Sequence, residues 1–363
     1  MTFSAIDHAC MARALALAGQ GLNTTTPNPR VGCVLVRNGT TVGEGWHRRA
    51  GEAHAEALAL RQAGEHARGA TAYVTLEPCS HYGRTPPCAD ALIAAGVARV
   101  VVAMEDPNPL VSGRGLERLR ASGVITAHGL LEQEARELNI GFHSRMTRGR
   151  PWLRLKAAST LDGKTALNNG VSQWITGPAA RADGHRWRAR ACAILTGIGT
   201  VKGDDPELTV RAIPCERQPL RVLIDARLDV SPAARILQGE PIVIATASQD
   251  TEKVARLTDA GHRLLLLPND GGKVDLSALM NELGRLNLNE IHVEAGFKLN
   301  GSLLREGCVD ELLLYLAPML VGDAAQGLFN LPALTRLDTA LRLDIRDLRQ
   351  IGDDLRVIAR PRS

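Results

Sequence analysis

The chain has 363 residues, 45% hydrophobic and 23% charged, with a formal net charge of only +4; this length suits two domains, and so small and dispersed a positive balance argues against a nucleic-acid-binding face. Aromatic residues make up 3%, too few for a platform on which single-stranded bases stack. Seven scattered cysteines fit a reducing compartment, Asp7, His8 and Arg13 make the first apolar stretch an amphipathic helix rather than a signal peptide, and no apolar run approaches membrane-spanning length, so a soluble cytoplasmic protein is expected.

Helical periodicity covers Ile6 to Ala18, and Thr24 to Pro29 is a turn-rich loop. Val31–Val36 and Thr41–Gly45 read as strands joined by an Asn38-Gly39 hairpin. His54 to Ala63 reads as a helix with His54 and Glu56 in its first turn. Strands are expected at Thr71–Thr75 and Arg99–Ala103, and helices at Ala89–Ala95, opening at Cys88, and Gly115–Ser122. This is one α/β layered domain. Met146 to Pro151, basic and without apolar periodicity, reads as a junction, so domains are expected at 1–147 and 148–363.

Beyond the junction, alternation resumes. Strands are expected at Trp152–Ala157, Ala193–Leu195, Leu220–Ile224, Ile242–Ala245, Leu264–Leu267 and Ile291–Val293, and helices at Ala179–Ala189, Thr251–Ala260 and Leu276–Arg285. Leu312–Leu316, Leu341 and Leu355 onward add extended strands with antiparallel character.

The chemistry concentrates between His54 and Cys88. One imidazole nitrogen and two thiolates, from His54, Cys79 and Cys88, make a three-ligand zinc site whose fourth position stays open for a water, the pattern of catalytic zinc. Glu56, two residues past the histidine, is placed to move protons. Cys88 opens a helix, whose positive end favours its thiolate. The spacing matches the His-x-Glu…Pro-Cys signature of zinc deaminases acting on nucleobases. Taken singly, Cys79 and Cys88 would be ordinary buried thiols and His54 a surface histidine. A closed structural site would need a fourth ligand, for which His81 is the nearby candidate.

The second half holds no dinucleotide fingerprint and no Walker loop. Val293 to Ser302 reads as strand, glycine turn and helix start, whose amides are suited to a phosphate. Thr196-Gly-Ile-Gly-Thr200 follows a strand and lets a ligand approach the backbone. Glycine turns at strand ends are usually only turns, and lone arginines such as Arg188 and Arg211 are usually solvated.

With both halves read, the chain resembles the bacterial bifunctional riboflavin-biosynthesis deaminase–reductase family over nearly its full length. The first half carries Thr-Pro-Asn28-Pro, His54-Ala-Glu56, Glu-Pro-Cys79-Ser-His-Tyr-Gly-Arg84-Thr-Pro-Pro-Cys88 and Asp106-Pro-Asn108-Pro. The second carries Leu155-Lys156-Ala-Ala-Ser-Thr160-Leu-Asp162-Gly163, Ser172-Gln-Trp174, Thr200-Val-Lys-Gly-Asp204 and Glu294-Ala-Gly296. Eight residues separate the cysteines, against two in cytidine and transfer-RNA adenosine deaminases. Thr160 stands where serine is expected and keeps the hydroxyl.

The resemblance implies a cytidine-deaminase-like three-layer domain followed by a dihydrofolate-reductase-like domain, with one zinc and NADPH. The first would hydrolyse the 2-amino group of 2,5-diamino-6-(5-phosphoribosylamino)pyrimidin-4-one; the second would reduce the ribosyl group to ribityl. Asn28, His47, Arg84, Asp106 and Asn108 would hold the deaminase substrate, although loop capping is the plain alternative for Asn28 and His47. NADPH would lie near Ala158, Trp174, Thr200, Asp204, Gly296, Phe297, Lys298, Leu299, Asn300, Gly301 and Ser302. Lys156, Ser172, Arg188, Leu208, Arg211 and Glu294 would contact the reductase substrate, the arginines as bidentate partners of its phosphate. Partners are then small phosphoribosyl pyrimidines, with no nucleic acid or membrane, and a homo-oligomer is expected. The competing readings are a nucleoside or transfer-RNA deaminase with an unrelated second domain, and a non-catalytic zinc module. The second half's own motifs oppose the former, and Glu56 beside the open position opposes the latter.

Overall fold

Ser4 opens the first helix: its hydroxyl accepts the Asp7 amide while the Asp7 carboxylate accepts the Ser4 amide, a reciprocal cap on α1 (Ala5–Gly19). This computed structural model describes residues 2–80, 86–109 and 111–362. The chain divides into two units, Met1–Gly149 and Arg150–Ser363.

In the first unit α1 is followed by β1 (Gly32–Arg37), β2 (Thr40–Trp46), α2 (Ala55–Ala63), β3 (Thr71–Val74), α3 (Cys88–Ala94), β4 (Arg99–Val102), α4 (Arg114–Ala121), β5 (Ile125–His128), α5 (Glu132–Leu138) and α6 (Ile140–Arg148). Asn38 and Gly39 turn the first hairpin with φ of 51° and 80°, the left-handed pair that a two-residue hairpin demands. The strands line up β2-β1-β3-β4-β5, with β1 antiparallel to its neighbours and β3, β4 and β5 parallel. Alternate residues feed two cores. Cys33, Leu35, Val74 and Val102 pack with Ala59 of α2, Leu92 of α3 and Leu116 of α4, while Val34, Val36, Tyr73 and Val101 pack with Met11 and Leu17 of α1 and Ala135 of α5. The result is three layers.

Two details correct the sequence expectation. His54 lies just outside α2, as its cap, in extended conformation (φ −72°, ψ 162°), while Glu56 is in the first turn. The stretch read as a junction is helical through Arg148, where the Arg148 guanidinium reaches back to the Ser144 hydroxyl.

In the second unit come β6 (Trp152–Thr160), β7 (Lys164–Ala166), α7 (Pro178–Arg190), β8 (Ala193–Gly197), α8 (Ile198–Asp204), β9 (Leu220–Ile224), β10 (Val243–Thr246), α9 (Thr251–Asp259), β11 (Arg263–Leu266), α10 (Leu276–Arg285), β12 (Glu290–Glu294), α11 (Phe297–Arg305), β13 (Glu311–Ala317), β14 (Gln326–Gly327), β15 (Leu343–Ile351) and β16 (Asp354–Pro361). A nine-stranded sheet runs β11-β10-β9-β8-β12-β6-β13-β16-β15. It is parallel from β11 to β13, and β16 and β15 close it antiparallel. The carboxyl ends of β8, β9 and β12 therefore share one edge, where an α/β sheet binds ligands. At the other end, buried Arg154 bonds Glu311 at 2.5 Å and Glu290 at 3.1 Å, so the buried charges are paired.

Helix α2 lies close on β2. A Cβ on Gly45 would stand 2.3 Å from the Ala55 carbonyl oxygen, in the turn that carries Glu56. Gly45→Ala is expected to lift that turn from the sheet and cost about 1–3 kcal/mol. Chemical denaturation and zinc content of the purified variant check this, both falling together.

Candidate metal centre and reductase clefts

Three separate elements deliver the metal donors. The His54 cap of α2, Cys79 in the loop after β3, and Cys88 at the head of α3 bring one nitrogen and two sulfurs within 4.8 Å of one another. His54 Nδ1 lies 3.3 Å from Cys88 Sγ and 3.7 Å from Cys79 Sγ. Tetrahedral zinc, with bonds near 2.0 Å to nitrogen and 2.3 Å to sulfur, sets such donors about 3.5 Å apart, so the set fits the ion. Hydrogen bonding from Cys88 and His54 outweighs burial and lowers the Cys79 thiol, which favours a ligating thiolate.

Glu56 is buried beside the donors, and its Oε2 has no hydrogen-bond partner. Burial, then the Cys79 charge, pushes its carboxyl up to about 7. A partnerless buried carboxyl oxygen near neutrality is a group held ready to take and return a proton. The His47 ring packs edge-on against His54 at 5.3 Å between centroids. Its Nδ1 lies 3.2 Å from the Ala53 carbonyl, so it is the donor nitrogen, and Nε2 accepts the Asn28 side-chain amide at 3.1 Å. Asn28 and His47 thus meet beside the metal donors. Asp106 and Asn108 form an Asx turn, with Asp106 Oδ1 accepting the Asn108 amide at 2.8 Å. Arg84 and His81 lie outside the described residues.

Glu77, the first residue of the Glu-Pro-Cys79 motif, carried no role in the sequence expectation. Its buried carboxyl accepts four backbone amides, from Asp106 (3.2 Å), Gly113 (2.9 Å), Gly115 (2.8 Å) and Leu116 (3.2 Å). It joins the Asp106–Asn108 turn and the start of α4 to the segment carrying Cys79. The signal lay in the sequence as a charged residue placed directly before Pro78-Cys79, at a strand end.

In the second unit, Lys156, Ser172, Arg188, Leu208, Arg211 and Glu294 all line a cleft of about 660 Å³. Thr200, Asp204, Gly296 and Phe297 line both this cleft and a second of about 870 Å³, which Lys298, Leu299 and Ser302 also line. Ala158, Trp174 and Asn300 face the first cleft and not the second. Gly301 lines neither, because a Cβ there would stand 2.2 Å from the Asn330 carbonyl oxygen; it is glycine so that α11 can pack. Thr196–Thr200, read as a turn, is strand end and helix start. Arg188 lines that cleft already paired. Its guanidinium is taken by Glu294 (Nε–Oε1 2.5 Å, Nη2–Oε2 2.8 Å) and by the Thr209 carbonyl at 2.9 Å. Arg211, in the same lining, is 59% exposed.

The second cleft fits a pyrophosphate-bearing cofactor. Helix α11 has Gly296 as its cap and no side chain bonded to its first amides, which leaves a positive helix end for an anion. A Cβ on Gly296 would meet nothing nearer than Thr200 Oγ1 at 3.9 Å, so the cradle is open. Sequence reasoning missed Asp225, Arg227 and Asp229 in this cleft. Their position directly after strand Leu220–Ile224, at the binding edge of the sheet, was the available signal.

These features define a zinc-type pyrimidine deaminase joined to a nicotinamide-nucleotide reductase. Residues 4–104 match the model of the cytidine and deoxycytidylate deaminase zinc-binding region, and residues 151–357 match the RibD C-terminal domain. The chain is 51% identical to the riboflavin biosynthesis protein RibD of Escherichia coli K12, over 96% of this chain and 98% of that protein. It is 43% identical to the Aquifex aeolicus protein of that name, over 96% and 97%. Among solved structures, Acinetobacter baumannii RibD, form 1, superposes with a TM-score of 0.91 at 42% identity, covering 99% of both chains. A Thermotoga maritima diaminohydroxyphosphoribosylaminopyrimidine deaminase/5-amino-6-(5-phosphoribosylamino)uracil reductase superposes with 0.87 at 32% identity, covering 98% of this chain and 99% of that one. The chain belongs to the RibD family of bifunctional riboflavin-biosynthesis enzymes: it deaminates the diaminopyrimidine phosphoribosyl substrate with zinc, then reduces the ribosyl group with NADPH. No helix among the described residues is long and apolar enough to cross a membrane.

Glu77→Gln sets an amide NH₂ among four backbone donors. It is expected to cost about 3 kcal/mol, since each buried donor left unpaired costs roughly 1–3 kcal/mol. Deaminase KM should rise while the reductase reaction, assayed on deaminated substrate, stays unchanged; steady-state kinetics of both steps on the one protein check this.

Proposed function

We propose that residues 1–147 carry the deamination and residues 148–363 the reduction, with separate sets of side chains. In the first, His54, Cys79 and Cys88 would hold zinc, and the ion, when bound, supplies the Lewis acidity that makes a water nucleophilic near neutral pH. Glu56 takes a proton from the attacking water and returns it to the ring nitrogen and the departing amine. Asn28, His47, Asp106, Asn108 and Arg84 hold the pyrimidine and its ribose phosphate. His47, kept neutral by burial, presents the Asn28 amide in a fixed orientation through the bond to its Nε2. The observation that carries the assignment is the partnerless buried oxygen of Glu56 beside three converging metal donors.

In the second domain NADPH supplies the hydride. The residues of the 870 Å³ cleft bind it, and Lys156, Ser172, Leu208 and Arg211 hold the phosphoribosyl group. Arg188 and Glu294, paired with each other, face the same group. The wall shared by the clefts, Thr200, Asp204, Gly296 and Phe297, is where nicotinamide and sugar meet. A cytoplasmic setting is part of the same proposal, supported by seven cysteines of which none forms a disulfide.

Glu56→Gln is expected to lower ammonia release by about 10²- to 10⁴-fold, the usual range for losing a general acid–base group, with bound zinc retained. NADPH oxidation on the deaminated substrate should be unaffected; loss of both activities in a folded, zinc-loaded variant would contradict separate sites. Self-association into a homo-oligomer is supported by the edge strand β15, whose Ile345 and Leu348 are 66% and 60% exposed. Light scattering of the full chain should give a mass above the 38.9 kDa of one chain.

A further inference from the structure

Between α8 and β9, residues 205–219 run without helix or strand, yet three consecutive residues there have main-chain groups held by side chains. The Arg188 guanidinium donates to the Thr209 carbonyl at 2.9 Å. Gln218 takes both groups of Val210: its Oε1 accepts the amide at 2.8 Å and its Nε2 donates to the carbonyl at 2.9 Å. His185 Nδ1 accepts the Arg211 amide at 3.3 Å. In an antiparallel ladder a strand partner satisfies one residue through both its amide and its carbonyl. Here a single glutamine amide takes that part.

The support reaches back to α7. Arg217, next to Gln218, donates to the Ala189 and Ala191 carbonyls at 3.2 and 2.7 Å, at the carboxyl end of that helix. His185 and Arg188 belong to the same helix. Directly upstream, Leu208 adopts φ of 53°, a left-handed conformation that a bulky residue keeps only when its surroundings hold it; it is buried and lines the same cleft as Arg211. An imidazole accepts a hydrogen bond only while uncharged. Burial of His185, then the Arg188 and Arg211 charges and more weakly Lys156, bring it down to about 4 against the opposing pull of Glu294, so its Nδ1 remains an acceptor at neutral pH.

We infer that Gln218 and His185 are positioning residues of the reductase: they fix the backbone at Val210 and Arg211 and thereby hold the Arg211 guanidinium in the cleft lining for the sugar phosphate. A side chain as open as Arg211 takes its direction from the backbone that carries it. Neither Gln218 nor His185 lines the cleft, so their effect passes through Arg211. The inference rests on the proposed contact of Arg211 with the phosphoribosyl group, and the experiment separates the two. Reductase kinetics of the full chain are measured with 5-amino-6-(5-phosphoribosylamino)uracil and with the same compound lacking its phosphate. The variants are Gln218→Leu, His185→Leu, His185→Asn, Arg211→Gln and the double variant Gln218→Leu/Arg211→Gln.

Gln218→Leu should raise KM for the phosphorylated substrate roughly three- to thirtyfold, the range for losing one or two hydrogen bonds. Its kcat, and its KM for the compound without phosphate, should stay within about twofold, since ground-state phosphate binding alone is weakened. His185→Leu should show a smaller shift of the same kind, and His185→Asn should restore it, because the amide oxygen falls where Nδ1 stood. In the Arg211→Gln background, Gln218→Leu should add little, the mark of two residues acting as one. Ammonia release and NADPH affinity, measured on the same preparations, report that each variant is folded; if Gln218→Leu does not fold, the His185→Leu and His185→Asn pair decides. Equal KM changes for both compounds, no change, or full additivity with Arg211→Gln would overturn the inference while the phosphate contact stands. If Arg211→Gln leaves the phosphorylated KM unchanged, that contact fails and takes the inference with it.

Discussion

The deaminase half depends on one convergence: a cap, a loop and a helix head must each deliver a ligand atom to the same few ångströms. No one element can do this, because the three donors leave the sheet at different points. What holds them is ordinary packing. Helix α2 lies against β2, so the His54 cap follows the position of the strand, and the Cys79 sulfur accepts the Cys88 amide at 3.3 Å, which fixes the head of α3. The metal-binding groups are therefore positioned by the packing of the layers. This is also why Glu56 can be kept with one oxygen unpartnered: its helix turn is anchored from behind, so the cost of burial is carried by the surrounding core rather than by the carboxyl itself.

Glu77 plays the corresponding part on the other side. Four amides on one carboxyl gather the turn after β4 and the start of α4 around the cysteine loop. A residue of this kind touches no substrate yet decides where Asp106 and Asn108 stand. In the reductase half, Arg188 and Glu294 form a bidentate pair at the wall of the cleft that fixes both side chains.

Much of this was legible in the sequence where local chemistry and tertiary need agree. The hairpin at Asn38-Gly39, the strand at Leu220–Ile224 and the helix at Leu276–Arg285 follow from turn residues and periodicity. The metal trio followed from spacing. Helix α8 was hidden because its opening, Gly197-Ile-Gly, reads as a turn, and buried Val201 rather than propensity holds it. Strand β5 is only four residues long, and its Ile125 is exposed, so its pattern was too brief to see. His54 was placed inside α2 because a histidine is a poor signal for a cap; its nitrogen is directed at sulfur instead of the helix amides. The partnership of Arg188 with Glu294 joins residues 106 positions apart, a pairing that no local pattern reports.

The mixture of charge around the 660 Å³ cleft has a kinetic consequence. Its lining holds Lys156, Arg181, Arg188, Arg211 and Arg235 against Asp204, Glu207 and Glu294, a local surplus of positive charge on a chain that is nearly neutral as a whole. Field lines concentrate in such a concave mouth, so phosphorylated molecules are drawn in from beyond contact range. Capture of the sugar phosphate by this half therefore slows as ionic strength rises and the Debye length contracts, even where the bound state itself is well shielded.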